Sequence, residues 1–141
     1  MDRNKAYETT WLIRRLFRAM ASLADEYLRS AGLTAADRAV MEFLFPDNKL
    51  TVPEIATRYQ VSRQHVQVTV NSLLQKGLLE PEANPRHKRS PLIALSDLGR
   101  ATFAEIRNNE TEQLDRLFEN VADADLLTTT RTLRTLYDQL R

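Results

Sequence analysis

TVPEIATRYQVSRQHVQVTVNSLLQKGLLEPEANPRHKRSPLIAL, residues 51–95, carries the densest set of helix and strand boundary signals in the chain. It opens with a capping box, Thr51-Val52-Pro53-Glu54. The Thr51 hydroxyl can accept from the backbone N–H of Glu54, whose carboxylate reaches back, and proline is tolerated in a first helical turn. A helix is therefore expected from Val52, with Ile55, Ala56 and Tyr59 on its apolar side. Gln60-Val61 makes a tight turn, and Ser62 caps a second helix over residues 63–76, which Gly77 ends by offering the left-handed conformation. Leu78-Leu79-Glu80 then pairs with Leu92–Leu95 as a hairpin. Pro81 and Pro91 lack an N–H and must lie near an end or edge of that ribbon. Helix, turn, helix and hairpin in this order make a winged helix-turn-helix, a mainly α fold with a small β-hairpin wing.

At about 100° per residue the second helix separates into two faces. Val66, Val70, Leu73, Leu74 and Gly77 form the inner one. Gln64, Gln67, Val68 and Asn71 project from the other, with Arg63 and His65 flanking the first turn. A helix face that is merely solvated would carry a Glu/Lys mixture, whereas this one carries amides. Gln and Asn can pair bidentately with adenine, Arg with guanine, and Val can meet a thymine methyl. The hairpin tip holds Arg86, His87, Lys88 and Arg89 with no acid among them. Such a tip suits phosphate contacts and an arginine inserted into the minor groove. Double-stranded DNA is thus the expected partner, contacted by Ser62, Arg63, Gln64, His65, Gln67, Val68, Asn71, Arg86, Lys88 and Arg89. The alternative, a winged-helix module that binds protein without reading DNA, would need an apolar outer face on residues 63–72. Only Val68 fits it.

Leu33-Thr34 opening a helix, Val61-Ser62-Arg63, Leu74 to Gly77-Leu78, Asn84-Pro85, Arg89 and Leu95-Ser96-Asp97-Leu98-Gly99 fall in the order and spacing of the MarR family (multiple antibiotic resistance regulators), which the sequence resembles along essentially its whole length. The resemblance implies a dimeric winged-helix transcription regulator, usually a repressor, of a family in which many members lose DNA affinity on binding a small, often phenolic, molecule. One position departs from the pattern. The family commonly has Asp two residues before the wing arginine, where it helps to hold that arginine; this chain has His87. The wing is therefore expected to be looser or differently braced, with His87 either solvated or a further phosphate contact.

Composition sets the remaining bounds. The chain has 141 residues, 43% of them hydrophobic, and a net charge of +1. Residues 1–141 read as a single unit, and attraction to DNA must come from local patches rather than from total charge. There is no cysteine, which excludes a disulfide framework, a thiolate metal site and a thiol redox switch. No apolar run approaches the ~20 residues of a membrane span and no signal-peptide core opens the chain, so a cytoplasmic location is expected. The two histidines, His65 and His87, lie in the reading helix and wing with no nucleophile arranged beside them. The three glycines form no phosphate loop, and no metal-ligand spacing occurs. No catalytic residue, metal or cofactor is expected.

Flanking residues 33–96 are two helical stretches, 4–31 and 97–141. In the first, Leu12, Leu16, Met20, Leu23 and Tyr27 make an apolar stripe widened by Ile13, Phe17, Ala24 and Leu28. Gly32 ends it, Thr34 with Asp37 caps the next helix, and Pro46-Asp47-Asn48 breaks that one. Ser96-Asp97 starts a long helix whose polar run, Asn108 to Gln113, is expected on solvent, and Asp123 is expected to cap a last helix. A leucine-rich terminal helix cannot stay exposed without aggregation risk. A homodimer is expected, with Leu133, Leu136, Tyr137 and Leu140 at its interface. The resemblance adds Tyr7 and Trp11 to that interface and implies an effector pocket near Trp11, Arg15 and Phe45, where Arg15 can meet a carboxylate beside an aromatic ring.

Overall fold

Helix α1, Arg3–Ser30, opens on Asp2, whose carboxylate accepts from the N–H groups of Asn4 and Lys5. The computed structural model describes all 141 residues, Met1–Arg141. The helix stops at Gly32, which takes φ +72. Beyond it the Leu33 N–H donates to the Leu28 carbonyl at 2.8 Å and the Gly32 N–H to Arg29 at 3.0 Å, while Leu28 and Leu33 are both buried. Paired bonds with an apolar contact make a Schellman ending, and the positive φ is why glycine stands there. Helix α2, Ala35–Leu44, starts from the expected Thr34–Asp37 capping box. Helix α3, Val52–Tyr59, starts from the Thr51–Glu54 box and ends with Gln60 left-handed at φ 59. Helix α4, Arg63–Gln75, is capped by the Ser62 hydroxyl and closes as α1 does, with Gly77 bonded to Leu74 and Leu78 to Leu73, each at 3.0 Å.

The hairpin is displaced from its expected place. Strand β1 is Leu79–Glu82 and pairs antiparallel with β2, Leu92–Leu95, in the register Leu79↔Leu95 to Glu82↔Leu92. It therefore starts one residue later than expected and runs through Pro81. The reason lies on the far side of β2, where Ile93 exchanges both backbone bonds with Leu50, at 2.7 and 3.1 Å. In an antiparallel ladder both polar groups of one residue point the same way, so the Pro81↔Ile93 pair asks for no hydrogen bond and a proline costs nothing there. Strand β2 is the middle of this small ribbon.

The core of residues Met1–Arg107, one of two compact units, is built from α2 (Val40, Met41, Leu44), α3 (Ile55, Ala56), α4 (Val66, Val70, Leu73), the hairpin (Leu79, Ile93, Leu95) and the start of α5 (Phe103, Ile106). Helix α5, Asp97–Phe118, begins at Ser96, whose hydroxyl accepts from the Gly99 N–H at 3.0 Å and donates to the Gly77 carbonyl at 2.6 Å. The base of the hairpin, the end of α4 and the start of α5 thus meet at one point.

The second unit, Asn108–Arg141, holds the end of α5 and helix α6, Asp123–Leu140, which buries none of its residues. Two expectations are corrected here. Asp123 is the first helical residue rather than the cap; Ala122 occupies that position without a side-chain bond, and Asp123 and Asp125 act instead on the positive end of the helix dipole. The polar run of α5 is not wholly on solvent either, since Asn109, Glu110 and Gln113 are half-buried. No helix is long and apolar enough to cross a membrane.

Candidate nucleic-acid interface

Every side chain expected on the outer face of α4 is exposed: Arg63, Gln64, His65, Gln67, Val68 and Asn71. Their order follows from the register that Ser62 imposes. Its hydroxyl accepts from the His65 N–H at 3.0 Å, starting the helix so that Val66, Val70 and Leu73 turn inward. The face is also steadied from below. The His65 ring lies tilted on Tyr59 at 6.3 Å, and Tyr59 on Phe43 at 6.0 Å. Thr69 was not singled out from the sequence, yet it is buried and donates to the His65 carbonyl at 3.2 Å. A threonine between two valines gave only a polar signal, and its back-bonding satisfies the hydroxyl inside.

Two of the amides are already paired, Gln67 Nε2 donating to Asn71 Oδ1 at 2.9 Å. The pair still presents the Gln67 oxygen as an acceptor and the Asn71 amide as a donor, the complement of adenine's N7 and N6 groups in the major groove. Val68, 65% exposed, lies between them in sequence and offers an apolar contact.

Beside this face a groove of ≈ 980 Å³ is lined by Arg63 from α4 and by Asn84, Arg86, His87, Arg89 and Ser90 from the wing. A second groove, ≈ 400 Å³, runs on past Gln64 and Gln67 and shares Arg63 and Arg89 with the first. The wing is braced by Asn84. Its side-chain oxygen accepts from the Arg86 N–H at 3.0 Å, and its amide donates to the Ser90 carbonyl at 2.9 Å. The His87 N–H meets the Asn84 carbonyl, and the Ser90 N–H meets that of His87, both at 3.3 Å. A neutral side chain thus ties the two arms of the tip together. Lys49, on the groove wall, is neutralised by Glu82 at 2.8 Å. Arg63, Arg86, Lys88 and Arg89 form no ion pair with a carboxylate, and the three arginines line the groove without internal competition for their charge.

The remaining expected residues lie elsewhere. Tyr7 and Trp11 are 80% and 53% exposed on α1, and Leu133, Leu136, Tyr137 and Leu140 are exposed along α6. Arg15 places its guanidinium 4.6 Å from the Trp11 ring, a cation–π pair within one helix. Phe45 is packed on Phe103 at 5.0 Å with Arg107 over it at 5.3 Å.

A helix face rich in amides and arginine, set beside a basic hairpin, defines a winged-helix DNA-binding protein. Comparison with known proteins agrees. The model of the MarR family matches residues 31–90. An uncharacterized protein of Mycobacterium tuberculosis is 34% identical over 135 residues, covering 92% of this chain and 94% of its own. The crystal structure of a MarR family transcription regulator superposes with a TM-score of 0.90 at 24% identity, over 97% of this chain and 91% of the other. The structure of Streptococcus pneumoniae FabT in complex with DNA gives 0.85 at 14% identity, over 96% of each. The chain belongs to the MarR family of winged-helix transcription regulators, which act by binding DNA and are not enzymes.

Proposed function

We propose that the protein is a cytoplasmic transcriptional repressor that binds an inverted-repeat operator as a homodimer. In this reading residues 33–96 bind DNA, and residues 4–31 with 97–141 form the dimerisation region. One α4 helix per subunit enters the major groove, where Gln64, Gln67, Val68 and Asn71 meet base edges. The wing lays Arg86, Lys88 and Arg89 along the backbone and into the adjacent minor groove. The observation that carries this reading is the continuity of the exposed α4 face with a groove walled by unpaired wing arginines. Dimerisation is supported by the large apolar side chains left exposed on α1 and on α6, since contiguous exposed apolar surface marks an interaction site. Two-fold symmetry would then repeat the reading helix about 34–36 Å away, one turn of DNA along the same side of the duplex.

The effector half of the proposal is a small aromatic acid that lowers DNA affinity. It is supported by the family resemblance and by two aromatic–cation pairs, Trp11 with Arg15 and Phe45 with Arg107. Footprinting on fragments selected from genomic DNA tests the first half: protection of two symmetric half-sites is expected, and a monomer on one asymmetric half-site would overturn it. A melting-temperature screen of aromatic acids, followed by gel shift with any stabilising compound, tests the second. A compound that raises the melting temperature and leaves DNA affinity unchanged would count against it.

A further inference from the structure

The C-terminal end of α4 is gripped by side chains that take no part in facing DNA. Lys76 caps the helix and donates from Nζ to the Gly32 carbonyl at 2.9 Å and to Asp37 Oδ2 at 3.3 Å. Gly32 is the left-handed stop of α1, and Asp37 belongs to the capping box that opens α2. Asp37 is only 3% exposed, and the same Oδ2 accepts from the Thr34 N–H at 3.0 Å. On the other side of the helix end, the Gly77 carbonyl is held by Ser96 at the start of α5. Helix α4 packs on α2, α3 and β1, whereas α1 packs on α2. The Lys76 ammonium therefore spans from the reading helix to the end of α1 over the top of α2.

We propose that Lys76 is a positioning residue: by fixing the end of α4 to the Gly32 turn of α1, it sets where each subunit's reading face stands, and hence which half-site spacing the dimer accepts. This rests on the proposed binding of an inverted repeat by a homodimer joined through its terminal helices. The chemistry suits the task. An ammonium carries three donors on a compact charge and here satisfies acceptors on two elements at once. The carboxylate it meets is buried, so the charge pair is less screened than a surface pair and its geometry is more sharply held. One inserted base pair moves the second half-site by about 3.4 Å and turns it by about 35° around the duplex. Two reading helices tied to α1 resist that displacement; without the tie the end of α4 is held only by its core packing and by Ser96, and yields more readily.

The test uses the full chain and an operator selected from genomic fragments. Anisotropy titrations compare wild type, K76M, K76R and K76A on that operator, on versions with one or two base pairs inserted at its centre, and on an unrelated duplex. Wild type should lose about tenfold or more in affinity on one insertion. In K76M and K76A that penalty should shrink to about threefold or less, while affinity for the unrelated duplex stays at the wild-type value. K76R can donate to both acceptors and should keep the full penalty. Should K76M fail to fold by circular dichroism, K76A still decides the matter, because it removes both Nζ bonds and leaves the Thr34–Asp37 capping box intact. Folded variants with an undiminished penalty, or with an equal loss on every duplex, overturn the role given to Lys76. A wild-type protein indifferent to spacing would instead overturn the symmetric dimer on which the inference rests.

Discussion

Gln64 and Arg89 both border the second groove, yet they should fail differently when removed. Gln64 is exposed on the outer face of α4, and in the proposed complex it meets a base edge, so Gln64→Ala should cost about 1–3 kcal/mol on the selected operator and little on random duplex. In the proposed complex Arg89 meets the DNA backbone. Arg89→Ala should weaken binding to every duplex and lower the slope of log affinity against log salt by about 1. Equal losses on specific and random DNA for Gln64→Ala would show that this face is not the reader. A third residue acts on stability alone. A Cβ on Gly99 would lie 2.0 Å from the Leu78 carbonyl oxygen and 2.9 Å from its carbon. That carbonyl is pinned by the Ser96 N–H at 3.0 Å, so it cannot swing aside. Gly99→Ala should destabilise by about 1–3 kcal/mol, the range for overpacking a closed contact. A fall in the urea midpoint at unchanged m-value would be the measurement; an unchanged midpoint would mean that the backbone there gives way freely.

At the scale of elements, Ser62 does for α4 what Thr51 does for α3. Ser62→Ala removes the acceptor for the His65 N–H and should cost about 1 kcal/mol, with faster amide exchange confined to the first turn of α4. Such a change spread evenly over the whole protein would refute the local role of the cap. Caps of this kind made most of the fold legible in the sequence. The boxes Thr34–Asp37 and Thr51–Glu54, the Ser62 cap and the stops at Gly32 and Gly77 each announce a boundary through a fixed residue type at a fixed offset. What escaped the reading lacked such a local signal. Leu50 bridges to Ile93 as a single residue, and one residue carries no alternation. That partner is also what lets Pro81 sit inside β1, and it leaves no local mark that would shift the expected strand one residue later. Ala122 starts α6 with no capping side chain, so Asp123 drew the assignment. The tie from Lys76 to Gly32 and Asp37 joins residues 44 and 39 positions apart, beyond any motif. The outer face of α4, by contrast, was readable, because burial of Val66, Val70 and Leu73 fixes which side chains must point away.

For the whole molecule the proposed coupling is between dimerisation and DNA affinity, although no residue assigned to the dimer interface faces the DNA. Helix α6 buries none of its residues, and Leu133 and Leu136 stay 43% and 42% exposed, apolar area that a partner subunit would remove from water. A single winged module makes about half the phosphate contacts of the pair. Since log affinity falls in proportion to the number of phosphates neutralised as salt rises, halving them removes most binding at physiological ionic strength. Joining two modules restores it, because the second docks at the effective concentration set by the first. An effector that changes the spacing of the two reading helices would break this same linkage without touching the reading faces. Leu133→Glu combined with Leu136→Glu should therefore yield a monomer or an aggregate with little specific binding, even though Arg63 to Asn71 and the wing are untouched. Sedimentation analysis run beside gel-shift titration of that double variant measures both quantities on one sample. A well-folded monomer that held the full operator with wild-type affinity would sink the dimer assignment and the proposed route of regulation together, since neither could then depend on two helices held a fixed distance apart.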